Sequence, residues 1–207
     1  MHEKNSTNPE MGHASIKRGL KGEPALNFLD TAVKCGVGEA GIYGALLTEE
    51  FGPMVRYCFV LTDAEIEPDA VKEATLCDRC GKCVKACPGR AIAEDGTLNR
   101  WQCAVYYSGA SGLRNPFMQP EAYSDFEDRL DIIAGLANVT PERAREILNA
   151  TVFYPPAKHN YQSCICGKSC DIECYCHLEE RGALKTAFET PFRKREPWKF
   201  SIEDFKI

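Results

Sequence analysis

The sequence predicts an α+β protein in which a dense cysteine module is joined to a small glycine-rich partial domain and interrupted by a pair of helices. Three observations carry that expectation. The 12 cysteines are clustered, with the run Cys77-Asp78-Arg79-Cys80-Gly81-Lys82-Cys83-Val84-Lys85-Ala86-Cys87-Pro88 at their centre. Gly36, Gly38, Gly41, Gly44 and Gly52 crowd a short stretch ahead of that run. Helical periodicity is concentrated over 121–149, between the run and a second cysteine group.

The elements follow in chain order. Residues 1–20 are polar, with His2, Glu3, Lys4 and Asn5 in succession. After Pro24, the spacing of Leu26, Leu29 and Val33 predicts a helix over 25–34. The β-rich residues from Val55 to Thr62 predict a strand, and Ile66-Glu67-Pro68-Asp69 a turn. Gly109, Gly112, Pro116 and Pro120 mark a loop over 108–120. Phe126, Leu130, Ile133 and Leu136 line one side of a helix predicted over 121–138. Thr140-Pro141-Glu142 starts another helix, ending near Asn149, with a capping threonine followed by proline at the first helical position. The division is therefore 1–70 for the glycine-rich partial domain, 71–191 for the cysteine module with its helical insertion at 121–149, and 192–207 for a tail. That tail mixes Arg193, Lys194 and Arg195 with Phe192, Trp198, Phe200 and Phe205, a composition that suits packing on its own domain or docking on another chain.

Composition narrows the class. With 207 residues, 44% hydrophobic and 27% charged, the chain can bury a core without crosslinks. A net charge of -5 argues against a nucleic-acid surface. No apolar run approaches the ~20 residues of a membrane span. Met1 to Asn8 has no apolar core or cleavage pattern, so a cytoplasmic location is expected. Cysteines clustered in a reducing compartment read as metal ligands rather than disulfides.

The run has the spacing C-x2-C-x2-C-x3-C-P. Two-residue gaps let three thiolates wrap three corners of one cubane cluster, and in two-cluster ferredoxins the fourth cysteine faces the other cubane. Zinc instead favours C-x2-C pairs set far apart, and disulfides between such close neighbours would be strained. The reading is a two-cluster ferredoxin-like module with two 4Fe-4S clusters, Cys77, Cys80 and Cys83 on one and Cys87 on the other. Four more ligands are then needed, and Cys103, Cys164, Cys166, Cys170, Cys174 and Cys176 are available. Cys166, Cys170 and Cys174 are four apart, which on a helix forms one stripe able to reach two neighbouring clusters. Cys164 and Cys176 are the spares, although Cys164 can stand in for one of the three. A zinc site or redox-active thiols is the competing reading of this distal group, with His177 either a ligand or an exposed helix residue. Cys35 and Cys58 read as buried, unreactive thiols.

Gly36-Val37-Gly38-Glu39-Ala40-Gly41 satisfies G-x-G-x-x-G, but the preceding segment reads as helix rather than strand, so the spacing does not indicate a dinucleotide site. In order, the segment from Cys35 to Tyr57, the segment Val60-Leu-Thr-Asp-Ala-Glu-Ile-Glu-Pro-Asp69 and the cysteine run resemble the epoxyqueuosine reductase and reductive dehalogenase superfamily of corrinoid iron–sulfur enzymes. The resemblance covers about residues 24–105 and, more loosely, 160–183. It implies that cobalamin is cradled by Gly36, Gly38, Gly41, Gly44, Leu47, Thr48 and Gly52. It also implies, from Arg100-Trp101-Gln102-Cys103-Ala104-Val105-Tyr106, that Cys103 serves the second cluster. This chain departs from the pattern in four places. The distal block keeps only the three-residue gap between Cys166 and Cys170. Thr48-Glu49 replaces Thr-Pro. With a one-residue gap, Lys21 occupies the position of the family's proton-donating aspartate, three residues before Pro24. The resemblance implies that nearly all of the family's long N-terminal half, which builds most of the corrin-binding fold, is missing.

The expectation is accordingly the electron-transfer half of such an enzyme. One cluster would use Cys77, Cys80, Cys83 and Cys174, the other Cys87, Cys103, Cys166 and Cys170. Electrons would pass to a reductase centre or a redox protein partner. The alternative is a corrinoid-dependent reductase with cobalamin at the glycine-rich loop and Tyr43, Glu39 or Lys21 as proton donor. No catalytic residue or small-molecule substrate is assigned.

Overall fold

Helix α1 (Phe28–Lys34) opens the computed structural model, which describes residues 27–60, 62–151, 165–186 and 188–192. Its start is set by Asn27, whose side-chain oxygen accepts the Asp30 N–H at 3.1 Å, satisfying one of the orphan donors of the first turn. The sequence placed this helix over 25–34; its first two residues lie outside the described ones.

The glycine block folds into a tight hairpin against α1. Strands β1 (Glu39–Ala40) and β2 (Leu46–Leu47) pair antiparallel, with Glu39 opposite Leu47 and Ala40 opposite Leu46. The approach is so close that a Cβ on Gly38 would lie 2.2 Å from the Leu47 carbonyl oxygen. Glu39 then turns inward and is buried, at 3% exposure. Its carboxylate accepts backbone N–H groups from Thr75 (2.5 Å), Leu76 (2.9 Å) and Cys77 (2.7 Å). One buried anion thus gathers three successive amides and fixes where the cysteine run begins.

The strand expected over 55–62 is not formed over the described part of that range. Residues 54–60 alternate in exposure like a strand but carry no ladder. Ring contacts hold the segment instead: Phe59 lies 5.0 Å from Phe28 of α1 and 5.8 Å from Tyr57. β-Branched and aromatic composition sets an extended tendency, whereas a strand also requires a partner backbone.

Five more helices complete the described fold: α2 (Lys82–Ala86), α3 (Arg100–Tyr107), α4 (Arg129–Ala134), α5 (Pro141–Ala150) and α6 (Ser169–Glu180). With one small two-stranded sheet, the architecture is α+β. Two apolar clusters organise it. Val105, Tyr106, Ile132, Ile147 and Leu148 join α3, α4 and α5, and the Tyr106 hydroxyl donates to the Ile132 carbonyl at 2.9 Å. Tyr43, Leu47, Leu76, Cys83, Ile92 and Leu178 join the hairpin, the cysteine run and α6. Helix α2 packs on α6, and α3 on α5.

The helix expected over 121–138 is cut to Arg129–Ala134. Tyr123 takes φ 60°, and the Arg129 guanidinium donates to the carbonyls of Ala122 (2.8 Å) and Pro120 (2.6 Å). These contacts shape the preceding residues into turns. Gly135 ends the helix at φ 79°, where a Cβ would meet the Pro88 carbonyl oxygen at 2.0 Å. Of the four residues expected on the apolar side, Phe126 and Ile133 pack on the core, while Leu130 and Leu136 are 74% and 50% exposed. The next helix starts as expected, with the Thr140 hydroxyl accepting the Arg143 N–H at 3.2 Å and Pro141 in the first turn, and it ends at Ala150. Of the tail, only Phe192 is described; its N–H donates to the Glu179 carboxylate at 2.9 Å and its ring lies 5.9 Å from Tyr175.

The Glu39 clamp yields a stability prediction. Glu39→Gln leaves one amide oxygen for three N–H groups and turns an NH2 toward them. A loss of about 2 kcal/mol is expected. The measurement is anaerobic urea unfolding, in which the midpoint should fall at an unchanged slope; a midpoint equal to that of the unsubstituted protein would refute the clamp.

Candidate metal centre

The run begins at Cys77, whose sulfur accepts the Ile42 N–H from the hairpin at 3.4 Å. Asp78 then accepts the Cys80 N–H at 3.2 Å. Arg79 (φ 58°) and Gly81 (φ 71°) both take left-handed conformations, coiling the loop tightly before α2 begins. Cys80 is exposed, and Cys83 is buried in the first turn of α2. Burial pushes the Cys83 thiol up to about 11, and negative charge on Cys80 and Cys77 would push the same way. From the other side, α6 contributes Cys174. Its thiol is pushed up to about 12, first by burial and further by Cys83 and Cys77, against a pull downward from the Tyr43 hydroxyl. Cys77, Cys80, Cys83 and Cys174 are therefore one interacting group.

A second group forms beyond it. Cys87 caps the end of α2, and its sulfur accepts the Ala91 N–H at 3.3 Å. Cys103 sits on α3, and its thiol is pushed up to about 12 by burial, with Cys166 and Cys87 adding to the rise. The Cys170 thiol is raised well above its ordinary value by burial, then by Asp171, Cys166, Cys103 and Cys87. Cys87, Cys103, Cys166 and Cys170 thus interact with one another. The expected stripe is only partly helical: α6 begins at Ser169, so Cys170 and Cys174 share its face, one turn apart, while Cys166 lies in the turn before it. Lys168, at φ 46°, separates the two segments.

These shifts describe what the sulfurs require. Several buried thiols facing one another cannot all ionise, because each thiolate loses hydration and repels its neighbours. Bound iron would offset both penalties with positive charge, and ligation would require the thiols to give up their protons.

Cys176 is buried; Cys164 lies outside the described residues. Cys35 and Cys58 are exposed rather than buried as expected. Cys35 caps α1 at the surface, and Cys58 lies on the outward side of an extended segment that no strand covers. His177 is hydrogen-bonded to Asp78 (2.8 Å), and Arg181 reaches the same carboxylate oxygen at 3.0 Å. The His177 hydrogen bond is the first cause holding the Asp78 carboxyl below its ordinary value. Asp78, Cys80 and His177 bring ligand atoms within 4.8 Å of one another, but Arg181 already shares the acidic oxygen.

Sequence spacing gave no structural role to Asp171 and offered Glu39 and Tyr43 only as proton donors. Asp171 is buried and paired with Lys168 at 3.3 Å. Glu39 is occupied by the three amides. Tyr43 is buried beside the cysteines. Lys21 lies outside the described residues.

Most glycines of the block lie against the chain's own atoms. Added Cβ atoms at Gly36, Gly38, Gly41 and Gly52 would meet the protein's own Ala70, Leu47, Leu47 and Leu178 respectively; of the five glycines in the block, only Gly44 faces open space. Leu47 and Thr48 are themselves buried. The close approaches that require these glycines are those of the chain with itself.

Residues 70–93 match the 4Fe-4S binding domain family. The chain is similar to the tetrachloroethene reductive dehalogenase of Desulfitobacterium hafniense, at 43% identity over 67 residues, which is 31% of this chain and 12% of that protein. Against the tetrachloroethene reductive dehalogenase of Sulfurospirillum multivorans, identity is 41% over 66 residues, or 30% of this chain and 13% of that one. Against the epoxyqueuosine reductase of Lactococcus garvieae (strain Lg2), it is 31% over 101 residues, or 49% and 27%. The matched region spans about an eighth to a quarter of these curated relatives. No solved structure matches. Among the described residues, no helix is long and apolar enough to cross a membrane. The chain is an iron–sulfur protein, with a 4Fe-4S domain and a partial relationship to the epoxyqueuosine reductase and reductive dehalogenase superfamily.

Proposed function

We propose that this chain is an electron-transfer unit carrying two 4Fe-4S clusters, which delivers electrons to a reductase centre or to a redox protein partner. One cluster is held by Cys77, Cys80, Cys83 and Cys174, the other by Cys87, Cys103, Cys166 and Cys170. The observation that carries this reading is the separation of these cysteines into two interacting groups. Each group takes sulfurs from the run and from α6 or the turn before it, and α2–α6 packing brings those segments together. Cys87 belongs with the second group although only three residues separate it from Cys83, which is the division that the C-x3-C-P end of such a run makes in two-cluster ferredoxins.

Each cluster supplies a one-electron couple. The protein's part is to hold the sulfurs, limit water and set the potential through hydrogen bonds and burial. Cys80 is the exposed member of the ligand set, so the first cluster offers an edge for exchange with a partner. The second reading, a corrinoid-dependent reductase, is favoured by the partial similarity to tetrachloroethene reductive dehalogenases and by the open space at Gly44.

Iron and sulfide analysis of anaerobically purified protein tests the two-cluster reading. About eight iron atoms per chain are expected, and a value near four would sink it. Cys103→Ser is expected to remove about half of the iron while leaving one cluster's paramagnetic signal, whereas Cys176→Ser should keep the full complement. Titration of the same sample with cobalamin separates the two functional readings: absence of binding is expected, and stoichiometric binding would favour the corrinoid enzyme.

A further inference from the structure

The glycine hairpin grips Cys77 twice. At its base, the Glu39 carboxylate accepts the Cys77 N–H at 2.7 Å. At its tip, the Ile42 N–H donates to the Cys77 sulfur at 3.4 Å. Together the two contacts hold both the backbone and the sulfur of the residue that opens the cysteine run. The function proposed above assigns no role to the glycine block, and this double grip is what joins the block to the metal centre.

The tip is built so that its amide stays aimed. The Gly44 N–H donates to the Gly41 carbonyl at 2.9 Å and the Gly41 N–H to the Ala45 carbonyl at 2.8 Å, closing a turn with Ile42 and Tyr43 at its centre. Neither central residue has a positive φ, so the turn is of the common kind whose first central residue takes φ of about −60°. On the other side, Gly96 packs so tightly that a Cβ there would lie 2.6 Å from the Ile42 carbonyl oxygen and 2.4 Å from its Cγ1. Tyr43, the next residue, is buried in the apolar cluster that contains Cys83. The acceptor also matters: sulfur is a weak acceptor as a thiol and a stronger one as a thiolate, so the contact gains strength when Cys77 gives up its proton to ligate metal.

We infer that Ile42 is a positioning residue whose backbone N–H donates to the ligating sulfur of Cys77 and so raises the potential of the cluster that Cys77 holds, which makes the glycine hairpin an outer arm of that metal site. The inference rests on the two-cluster reading proposed above. A donor to a ligand sulfur draws electron density from the cluster and favours the reduced state. The amide keeps its proton, and no group is consumed. Cys87, in the other sulfur group, takes its N–H from Ala91, four residues further along its own loop. Cys77 takes its N–H from a separate element 35 residues away, so the hold of the hairpin bears directly on the first cluster.

The test uses the full chain with its clusters in place. Ile42→Pro removes the N–H at a turn position that proline favours. Ile42→Ala, which loses the side chain but keeps the N–H, is its reference. Iron is counted, and redox titrations are followed by paramagnetic resonance, with Cys77→Ser identifying the signal of its cluster. Relative to Ile42→Ala, Ile42→Pro should lower the reduced-to-oxidised ratio of the Cys77 cluster at fixed potential about tenfold, corresponding to about 59 mV for one electron, while the ratio at the other cluster is the same in both. Equal ratios at the Cys77 cluster, or the same shift at both clusters, with full iron would overturn this inference and leave the two-cluster reading intact. A second measurement does without proline. Unsubstituted protein grown with isoleucine labelled with nitrogen-15 should show a labelled nucleus coupled to the Cys77 cluster, and Ile42→Ala grown in the same way should lack it. No coupling, or the same coupling in both, would overturn the inference even where Ile42→Pro fails to hold iron. An unsubstituted protein with iron near four would instead overturn the reading on which it rests.

Discussion

Cys83, Cys103, Cys170 and Cys174 carry thiols that burial drives away from ionisation, and neighbouring sulfurs drive them further. That constraint governs the architecture around them. Sulfur at such density is compatible with a folded interior either as neutral thiols or around a compensating cation. The 4Fe-4S domain over 70–93 identifies iron as that cation. Bringing the sulfurs together demands segments about a hundred residues apart in sequence. The packing of α2 on α6 accomplishes this, with Leu178 of α6 in the same apolar cluster as Cys83 and Leu76.

The run is held at both ends by contacts unrelated to sulfur chemistry. At its start, Glu39 gathers the amides of Thr75, Leu76 and Cys77. At its end, Gln102 donates to the Gly89 carbonyl at 2.5 Å, and Gly135 sits against the Pro88 carbonyl so closely that no side chain fits. The helical insertion therefore does more than span a gap. Its α4 C-terminus fastens the proline that terminates the run, and α3, which carries Cys103, is clamped to α5 by their shared apolar cluster. Ligand positions in such a module are set by backbone contacts several residues away, which is how a protein fixes sulfur geometry before metal arrives.

The glycine block takes on a different meaning once folded. Its pattern resembles a corrin-cradling loop, yet Gly36, Gly38, Gly41 and Gly52 lie against the chain's own atoms. The hairpin they permit delivers three groups to the cysteines: Glu39 to the amides, the Ile42 N–H to Cys77, and the phenol of Tyr43 to the junction between the two sulfur groups. A close-approach glycine is required equally by a ligand and by a neighbouring strand, and sequence spacing does not distinguish them.

By itself the sequence determined the iron–sulfur chemistry, because the spacing of Cys77, Cys80, Cys83, Cys87 and Pro88 is a local property of one short loop. It also determined the start of α5, where Thr140 and Pro141 act on their own first turn. Three local conformations were decided only by tertiary structure. The segment 54–60 is extended without a ladder, because a strand needs a partner that composition cannot supply. The helix over 121–138 shortened, because Arg129 and Gly135 serve contacts outside it. The stripe expected through Cys166, Cys170 and Cys174 is only partly helical, because the turn at Lys168 leaves Cys166 ahead of the helix that carries the other two. Local spacing encodes the cysteine loop of a 4Fe-4S domain; the packing of α6 on α2, a long-range property of the fold, brings Cys170 and Cys174 to it.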